Sequence, residues 1–311
     1  MLRAGEPVAL PTETVYGLAA NALNAAAVAR IFELKGRPAH NPIIVHVSNL
    51  AMAKGCVAAW PALADRLAKG FWPGPLTLVL PKSGLIPSLV TAGGATVGVR
   101  WPSHPLMQAV VRECGFPLAA PSANLSNRVS PTMANHVRRQ LGGRLRLIVD
   151  GGPCQVGVES TVLDVSVQPP RLLRPGMIHE EALLAITQQL AVGAEEAHTT
   201  LKSPGMLRKH YSPKARLMVR GWRSDGELES LCATQEVPSS HIHVIAHSVI
   251  PAGGTFGRVA VIPHDPEAFA RAIYAELHAC DEAGATLILV EEPPPGAAWR
   301  AIADRLARAA A

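Results

Sequence analysis

The chain has 311 residues, 48% of them hydrophobic and 17% charged, which allows about two domains and excludes a disordered or fibrous protein. Its formal net charge of +5 suits an anionic ligand such as ATP or RNA, but a surplus this small identifies neither.

The first predicted element is a strand from Val8 to Leu10, ended by Pro11. Thr12-Glu13-Thr14-Val15-Tyr16-Gly17 then forms a hydroxyl-rich turn, the chemistry of a binding loop set on a strand end. A helix follows from Ala25 to Lys35, with Val28, Ile31 and Phe32 on one stripe and Gly36 and Pro38 as its stop. Pro42 opens a strand from Ile43 to Val47, in which His46 shares a face with Ile44 and needs a polar partner. Further strands are expected at Leu76 to Leu80, Thr96 to Trp101, Leu118 to Ala120, Leu145 to Asp150, Val158 to Val165 and Arg171 to Arg174. The two-residue period puts Thr96, Gly98 and Arg100 on one face and Val97 and Val99 on the other, so Arg100 points to a groove or solvent. Ser130 as N-cap and Pro131 at the first helical position predict a helix running to about Leu141.

Residues 191–213 have weak periodicity, prolines and scattered charges, and read as an interdomain linker between a domain at 1–190 and another at 214–311. Beyond it, strands at Arg216 to Val219, Ile242 to Ala246, Val259 to Ile262 and Thr286 to Val290 alternate with helical stretches. The clearest helix runs from Pro266 to Glu282, and the alternation predicts a small doubly wound parallel α/β domain. Gly253-Gly254 is a turn signal, and no GxGxxG motif follows the first of these strands. Cys56, Cys114, Cys154, Cys232 and Cys280 are far apart and form no CxxC pair, which argues against a zinc site and for a reducing, cytoplasmic setting. No signal-like segment opens the chain and no apolar run approaches the roughly 18 residues that span a membrane, so a soluble protein is expected.

Two clusters stand out for chemistry. Lys35-Gly36-Arg37-Pro38, with Asn41 behind it, places two cations at a helix end, and Ser122-Ala123-Asn124 supplies neutral donors. Together they read as a nucleotide site without a Walker glycine loop.

The runs PTETVYGLAAN (11–21), KGRPAHNPIIVHV (35–47), WPGPLTLVL (72–80), APSANLSNRVSPT (120–132), GVESTVLD (157–164), LLRPG (172–176) and SPGMLRKHYSP (203–213) resemble the threonylcarbamoyl-AMP synthases, in the long form. The resemblance covers nearly the whole chain and implies a YrdC-like twisted mixed-sheet domain (α+β) followed by the smaller α/β domain. It implies a nucleotidyltransferase that joins L-threonine, bicarbonate and ATP for tRNA modification. Lys35, Arg37, Ser122 and Asn124 would serve catalysis; Lys35, Arg37, Asn41, Thr96, Ser122, Ser130, Arg174 and Tyr211 would contact ATP. Thr14, His46, Arg100, the main chain at Ala120 and Ser160 would hold threonine. Mg²⁺ would ride on the ATP phosphates with no dedicated metal ligands, and the implied partners are tRNA or the downstream threonylcarbamoyl transferase complex. From its place between the domains, Lys209-His210-Tyr211 is also expected to fold over the nucleotide as a lid, so that protease sensitivity near Met206 changes with ATP plus threonine. Relatives usually carry a helix before the first strand, whereas only Met1 to Pro7 precede Val8 here, so either the start is misassigned or the sheet is covered differently.

Each residue also has a structural alternative. Lys35 and Arg37 suit a solvated helix end, and Ser130 suits a cap. Thr14 and Ser160 suit backbone bonds at turns, His46 a satisfied core position, Asn124 a left-handed turn, and Tyr211 surface packing. At the level of function, the alternatives are an RNA-binding module, disfavoured because aromatics make up only 4% of the chain, and the carbamoyltransferases of hydrogenase maturation. The latter carry acylphosphatase-like and zinc-finger segments that this sequence lacks.

Overall fold

The structure, a computed structural model, describes residues 1–38, 40–193, 202–204, 210–252 and 256–311. It divides into two compact units, Met1–Ser126 with Ser130–Leu207 and Asn127–Val129 with Arg208–Ala311.

In the first unit, β1 (Val8–Leu10) pairs antiparallel with β2 (Gly17–Asn21), so Gly17 ends the hydroxyl-rich turn and starts a strand. Helix α1 (Ala25–Lys35) has the predicted bounds: Asn24 accepts from Ala27 N at 3.1 Å, and Gly36 closes it in the left-handed region at φ 60°. Then come β3 (Val45–His46), α2 (Leu50–Gly55), α3 (Ala62–Phe71), β4 (Leu76–Pro81), β5 (Thr96–Arg100), α4 (Pro105–Cys114) and β6 (Leu118–Ala119). Helix α5 (Ala134–Leu141), β7 (Thr161–Asp164), β8 (Arg171–Arg174), α6 (Glu180–Thr187) and β9 (Ala191–Val192) complete the described elements. The strands form one mixed sheet in the order β1-β2-β6-β3-β5-β4-β7-β8-β9. Val97 and Val99 join Leu76, Leu78 and Val45 in its main core, which fixes the face of β5 that carries Arg100. Leu2, in a short 3-10 turn (Leu2–Ala4), packs with Val8, Leu10 and Met107, and so covers the flank ahead of β1.

Three expectations need correction. The helix expected from Ser130 starts at Ala134 with Met133 as cap, because the Pro131 and Thr132 carbonyls accept from Tyr16 N and Cys154 N and hold that stretch in a loop. Residues 145–150 make only a bridge, Ala9 with Ile148; the Tyr16 hydroxyl bends the chain just beyond by donating to Gly152 O and accepting from Gly151 N. The short β3 replaces the longer strand expected at 43–47. In addition, β9 lies inside the stretch read as linker and pairs with β8.

The second unit contains β10 (Arg216–Arg220), α7 (Asp225–Ala233), β11 (Ile242–Ala246), β12 (Arg258–Val261), α8 (Pro266–Glu282), β13 (Leu287–Glu291) and α9 (Arg300–Ala309). Its strands are all parallel in the order β10-β13-β11-β12. The crossovers β10 to β11 and β12 to β13 run in opposite directions, so right-handedness sends α7 and α8 to opposite faces and gives the doubly wound form.

Candidate active site

The two clusters flagged in the sequence meet. Lys35 Nζ donates to the carbonyl oxygens of Ser122 and Asn124, each at 2.5 Å, and Ser126 N donates to Lys35 O at 2.9 Å. The ammonium is only 2% exposed; burial, with the nearby Arg37 charge adding to it, holds it well below the ordinary lysine value. Two of its three hydrogens are committed, which leaves one for a ligand. Beyond Gly36, Arg37 donates from Nε to Asn41 O at 3.2 Å and from Nη2 to Pro42 O at 2.8 Å, fixing the loop that carries the buried Asn41.

Pro42 leads into a cleft on the face of the sheet lined by Ile44, Thr77, Thr96, Gly98, Ser203 and Pro204. Gly98 keeps this face open: a Cβ there would stand 3.1 Å from Thr77 Cγ2. Thr77 shares a hydrogen bond with Ser160 Oγ at 2.8 Å. Arg174 donates to Ser160 O from Nε and Nη2 at 3.1 and 3.0 Å, to Ser160 Oγ at 3.1 Å and to Pro204 O at 3.1 Å. Lys202 pairs with the buried Asp164 at 3.0 Å, so residues 202–204 are tied to the sheet at both ends. Ser130 donates to Glu159 Oε1 at 2.6 Å, the use of its hydroxyl that the cap prediction missed.

Arg100 is buried at 3% exposure, so its face is a closed groove rather than solvent. It donates from Nη1 to Thr14 Oγ1 at 2.9 Å and from Nε to Gly74 O at 3.2 Å, and its Nη2 lies 2.7 Å from Glu13 Oε1. One hydrogen on each terminal nitrogen remains for a further acceptor. Burial raises the Glu13 carboxyl, but the Arg100 charge and hydrogen bond outweigh it and the net shift is downward. His46 pairs in register with Arg100; burial first, then the guanidinium, push its imidazole down to about 3 against the pull of Glu13. It is therefore neutral. Ala120 N is committed to Ile44 O at 3.0 Å, and Gly17 lets the loop approach it, since a Cβ on Gly17 would stand 3.2 Å from Ala120 Cβ.

Glu13, Thr77 and Glu159 were not singled out from the sequence, although all three lie in the quoted motifs. A buried carboxylate needs a cation, and Arg100 had no assigned counterion; that was the available signal for Glu13. Tyr211 belongs to the second unit, stacked on Tyr274 at 5.9 Å with His210 edge-on at 4.0 Å and the Arg305 guanidinium 5.4 Å from its ring. Lys209 and Met206, to which the lid expectation also refers, lie outside the described residues, as do Gly253 and Gly254.

Residues 1–176 match the sequence model of a family described as telomere recombination, and residues 178–311 match one described as the threonylcarbamoyl-AMP synthase C-terminal domain. The chain is 39% identical to the threonylcarbamoyl-AMP synthase of Pyrococcus abyssi, covering 99% of this chain and 91% of the relative. It is a long-form threonylcarbamoyl-AMP synthase family member. The threonylcarbamoyl-AMP synthase of Bacillus subtilis is 41% identical, with 100% of this chain and 91% of the relative covered. Among solved structures, P. abyssi Sua5 complexed with L-threonine superposes with a TM-score of 0.91 at 39% identity, over 99% of this chain and 92% of that one. A threonylcarbamoyl-AMP synthase must combine anion recognition with a water-poor site. Buried cations with spare hydrogens, Lys35 and Arg100, are the groups here that fit that demand.

Proposed function

We propose that this chain condenses L-threonine, bicarbonate and ATP into threonylcarbamoyl-AMP and pyrophosphate, the first step of threonylcarbamoyladenosine formation on tRNA. The observation that carries this reading is the buried Arg100, tied to Glu13 and Thr14 in the same unit as Lys35, Arg37 and Arg174. A guanidinium with one hydrogen left on each terminal nitrogen suits the threonine carboxylate. Glu13 already balances its charge, so the residue is held stiff without threonine.

The threonine amine gives up a proton and attacks the bicarbonate carbon, water leaves, and a carbamate forms. A carbamate oxygen then attacks the α-phosphorus and pyrophosphate departs. The protein's task is positioning and charge neutralisation. Lys35 and Arg37 take the phosphates, and the arriving anion offsets the burial that disfavours the lysine charge. Asn41, Thr96, Ser122, Ser130 and Arg174 surround the nucleotide, and Asn124 holds the loop against Lys35. Neutral His46, Ser160 and the Ala120 main chain orient threonine. Glu13 is occupied by Arg100 and Glu159 by Ser130, which supports Mg²⁺ arriving on the ATP phosphates rather than in a carboxylate cage. The five cysteines are free thiols and no described helix is long and apolar enough to cross a membrane, which supports a cytoplasmic enzyme handing its product to a transferase that acts on tRNA.

The test is pyrophosphate release with ATP, threonine and bicarbonate together and with each omitted. Release that persists without threonine overturns the reading.

A further inference from the structure

The second unit holds a cluster that adenylation leaves unused. Outside the carboxyl ends of β10, β11 and β13 lies a cavity of about 970 Å³, its wall including Trp222, His247, Ser248, His264 and Glu292. Doubly wound sheets take their ligands at this edge.

Three donor atoms in that wall converge. His247 Nδ1 and His264 Nδ1 are 2.9 Å apart, and Ser248 Oγ is 2.8 Å from the first and 2.7 Å from the second. His247 Nε2 stands 3.1 Å from Glu292 O; a carbonyl only accepts, so Nε2 carries the hydrogen and Nδ1 presents a bare lone pair. At most two hydrogens then serve three short contacts, one on the Ser248 hydroxyl and one on His264 Nδ1. With His247 as the neutral tautomer, the three contacts cannot each have a hydrogen of their own, so one must be shared or left without one. The arrangement is nonetheless held in place: Glu291 accepts from His247 N at 2.7 Å and Ser248 N at 2.8 Å, and Phe269 and Trp299 pack on the His247 ring at centroid distances of 5.6 Å.

One cation satisfies all three lone pairs. Donors about 2.0–2.1 Å from a divalent ion stand roughly 2.9 Å apart at right angles and roughly 3.3–3.4 Å apart in a tetrahedron, so this triangle fits the corner of a tetragonal or octahedral shell. We propose that His247, His264 and Ser248 bind a late first-row divalent ion of the Zn²⁺, Ni²⁺ or Cu²⁺ class, with both imidazoles ligating through Nδ1. Two imidazoles select that class over Mg²⁺ or Ca²⁺, and a second ring nitrogen bonded to a carbonyl is the usual outer support of a ligating histidine. Among the described residues no group of three or more His, Cys, Asp or Glu side chains is placed to hold a metal, so the chain would offer this ion two imidazoles and one hydroxyl, with water or an oxygen ligand completing the shell.

The experiment uses the full chain without a histidine tag, stripped of metal. Zn²⁺ titration by calorimetry should show one site that also raises the melting temperature. His264 is exposed, so His264→Ala keeps the fold; it should weaken Zn²⁺ binding at least about tenfold and abolish the thermal shift. His241→Ala, at another exposed histidine, should leave both unchanged. The Cu²⁺ electron paramagnetic resonance spectrum should report two nitrogens in the parent and one in His264→Ala. Zn²⁺ affinity equal in the parent and His264→Ala, or no binding at millimolar Zn²⁺, overturns the proposal and leaves a hydrogen-bonded cluster.

Discussion

Arg100 draws its position from Glu13, Thr14 and Gly74, three partners in two stretches of chain, and that arrangement sets what each change should do. Glu13→Gln strands a buried cation; breaking a buried pair by removing one partner costs about 3–5 kcal/mol. A bound threonine carboxylate would then supply the missing charge. The variant should therefore melt well below the parent, and threonine should raise its melting temperature more than it raises the parent's. Equal melting of the two proteins would dismiss Glu13 as the counterion. Lys35→Ala removes both a phosphate partner and the bolt to Ser122 and Asn124. Turnover in the pyrophosphate assay should fall by about 10²- to 10³-fold, the range seen when one preorganised charge-stabilising donor is lost. A variant within a few-fold of parental turnover would return Lys35 to the bland alternative of a helix-end cation. Much at this scale could be read from the sequence, because the motifs name the residues. The pairing could not: nothing in the spacing of Glu13 and Arg100 says that one neutralises the other.

At the scale of elements, the strand pair β7 and β8 depends on close approach. A Cβ on Gly176 would stand 2.6 Å from Thr161 Oγ1 and 2.8 Å from the Ser160 carbonyl carbon. Thr161 cannot yield easily, since its N–H donates to Pro75 O and its hydroxyl donates to Ile178 O. Gly176→Ala should displace Ser160 from Arg174 and cost about 1–3 kcal/mol, the usual range for overpacking. Urea unfolding measures the loss, and the KM for ATP should rise with it; a variant of parental stability would mean that the loop adjusts freely. Two helices with complete end signals are expected at their observed bounds. Helix α1 has Asn24 before it and Gly36 after it, and α8 has Asp265 as cap with Pro266 at its first position. Helix α4 carries comparable signals in His104-Pro105 and Gly115, with Met107, Val110, Val111 and Cys114 on one packed face, and is absent from the elements expected from the sequence. The helix expected from Ser130 failed for the opposite reason. A sound local cap signal was overridden by tertiary bonds to the Pro131 and Thr132 carbonyls.

For the whole molecule, the division into a mixed-sheet unit and a parallel α/β unit was legible because apolar strand runs recur on both sides of a weakly periodic stretch. Strand order was not, since neighbours such as β6 and β2 lie far apart in sequence and pair only through tertiary packing. The same packing buries ionisable groups, and so makes global stability depend on pH. His46 has a folded value of about 3 against roughly 6.5 when exposed in the unfolded chain, so between those values the unfolded state binds the extra proton. Stability therefore falls as pH drops from about 6.5 towards 3, by at most roughly 4–5 kcal/mol from this group. Glu13 acts in the same direction. Its folded value lies below its unfolded one, so the stability it adds is present above the unfolded value and lost as pH falls through the folded one. Urea unfolding at pH 7.5, 6.0 and 5.0 should show a progressive loss in the parent. His46→Gln removes the larger titration within that range, so its stability should change much less between pH 6.0 and 5.0, whatever its absolute value at pH 7.5. Parallel pH slopes for the two proteins would mean that His46 takes up its proton without unfolding the chain, and that the groove beside Arg100 admits water.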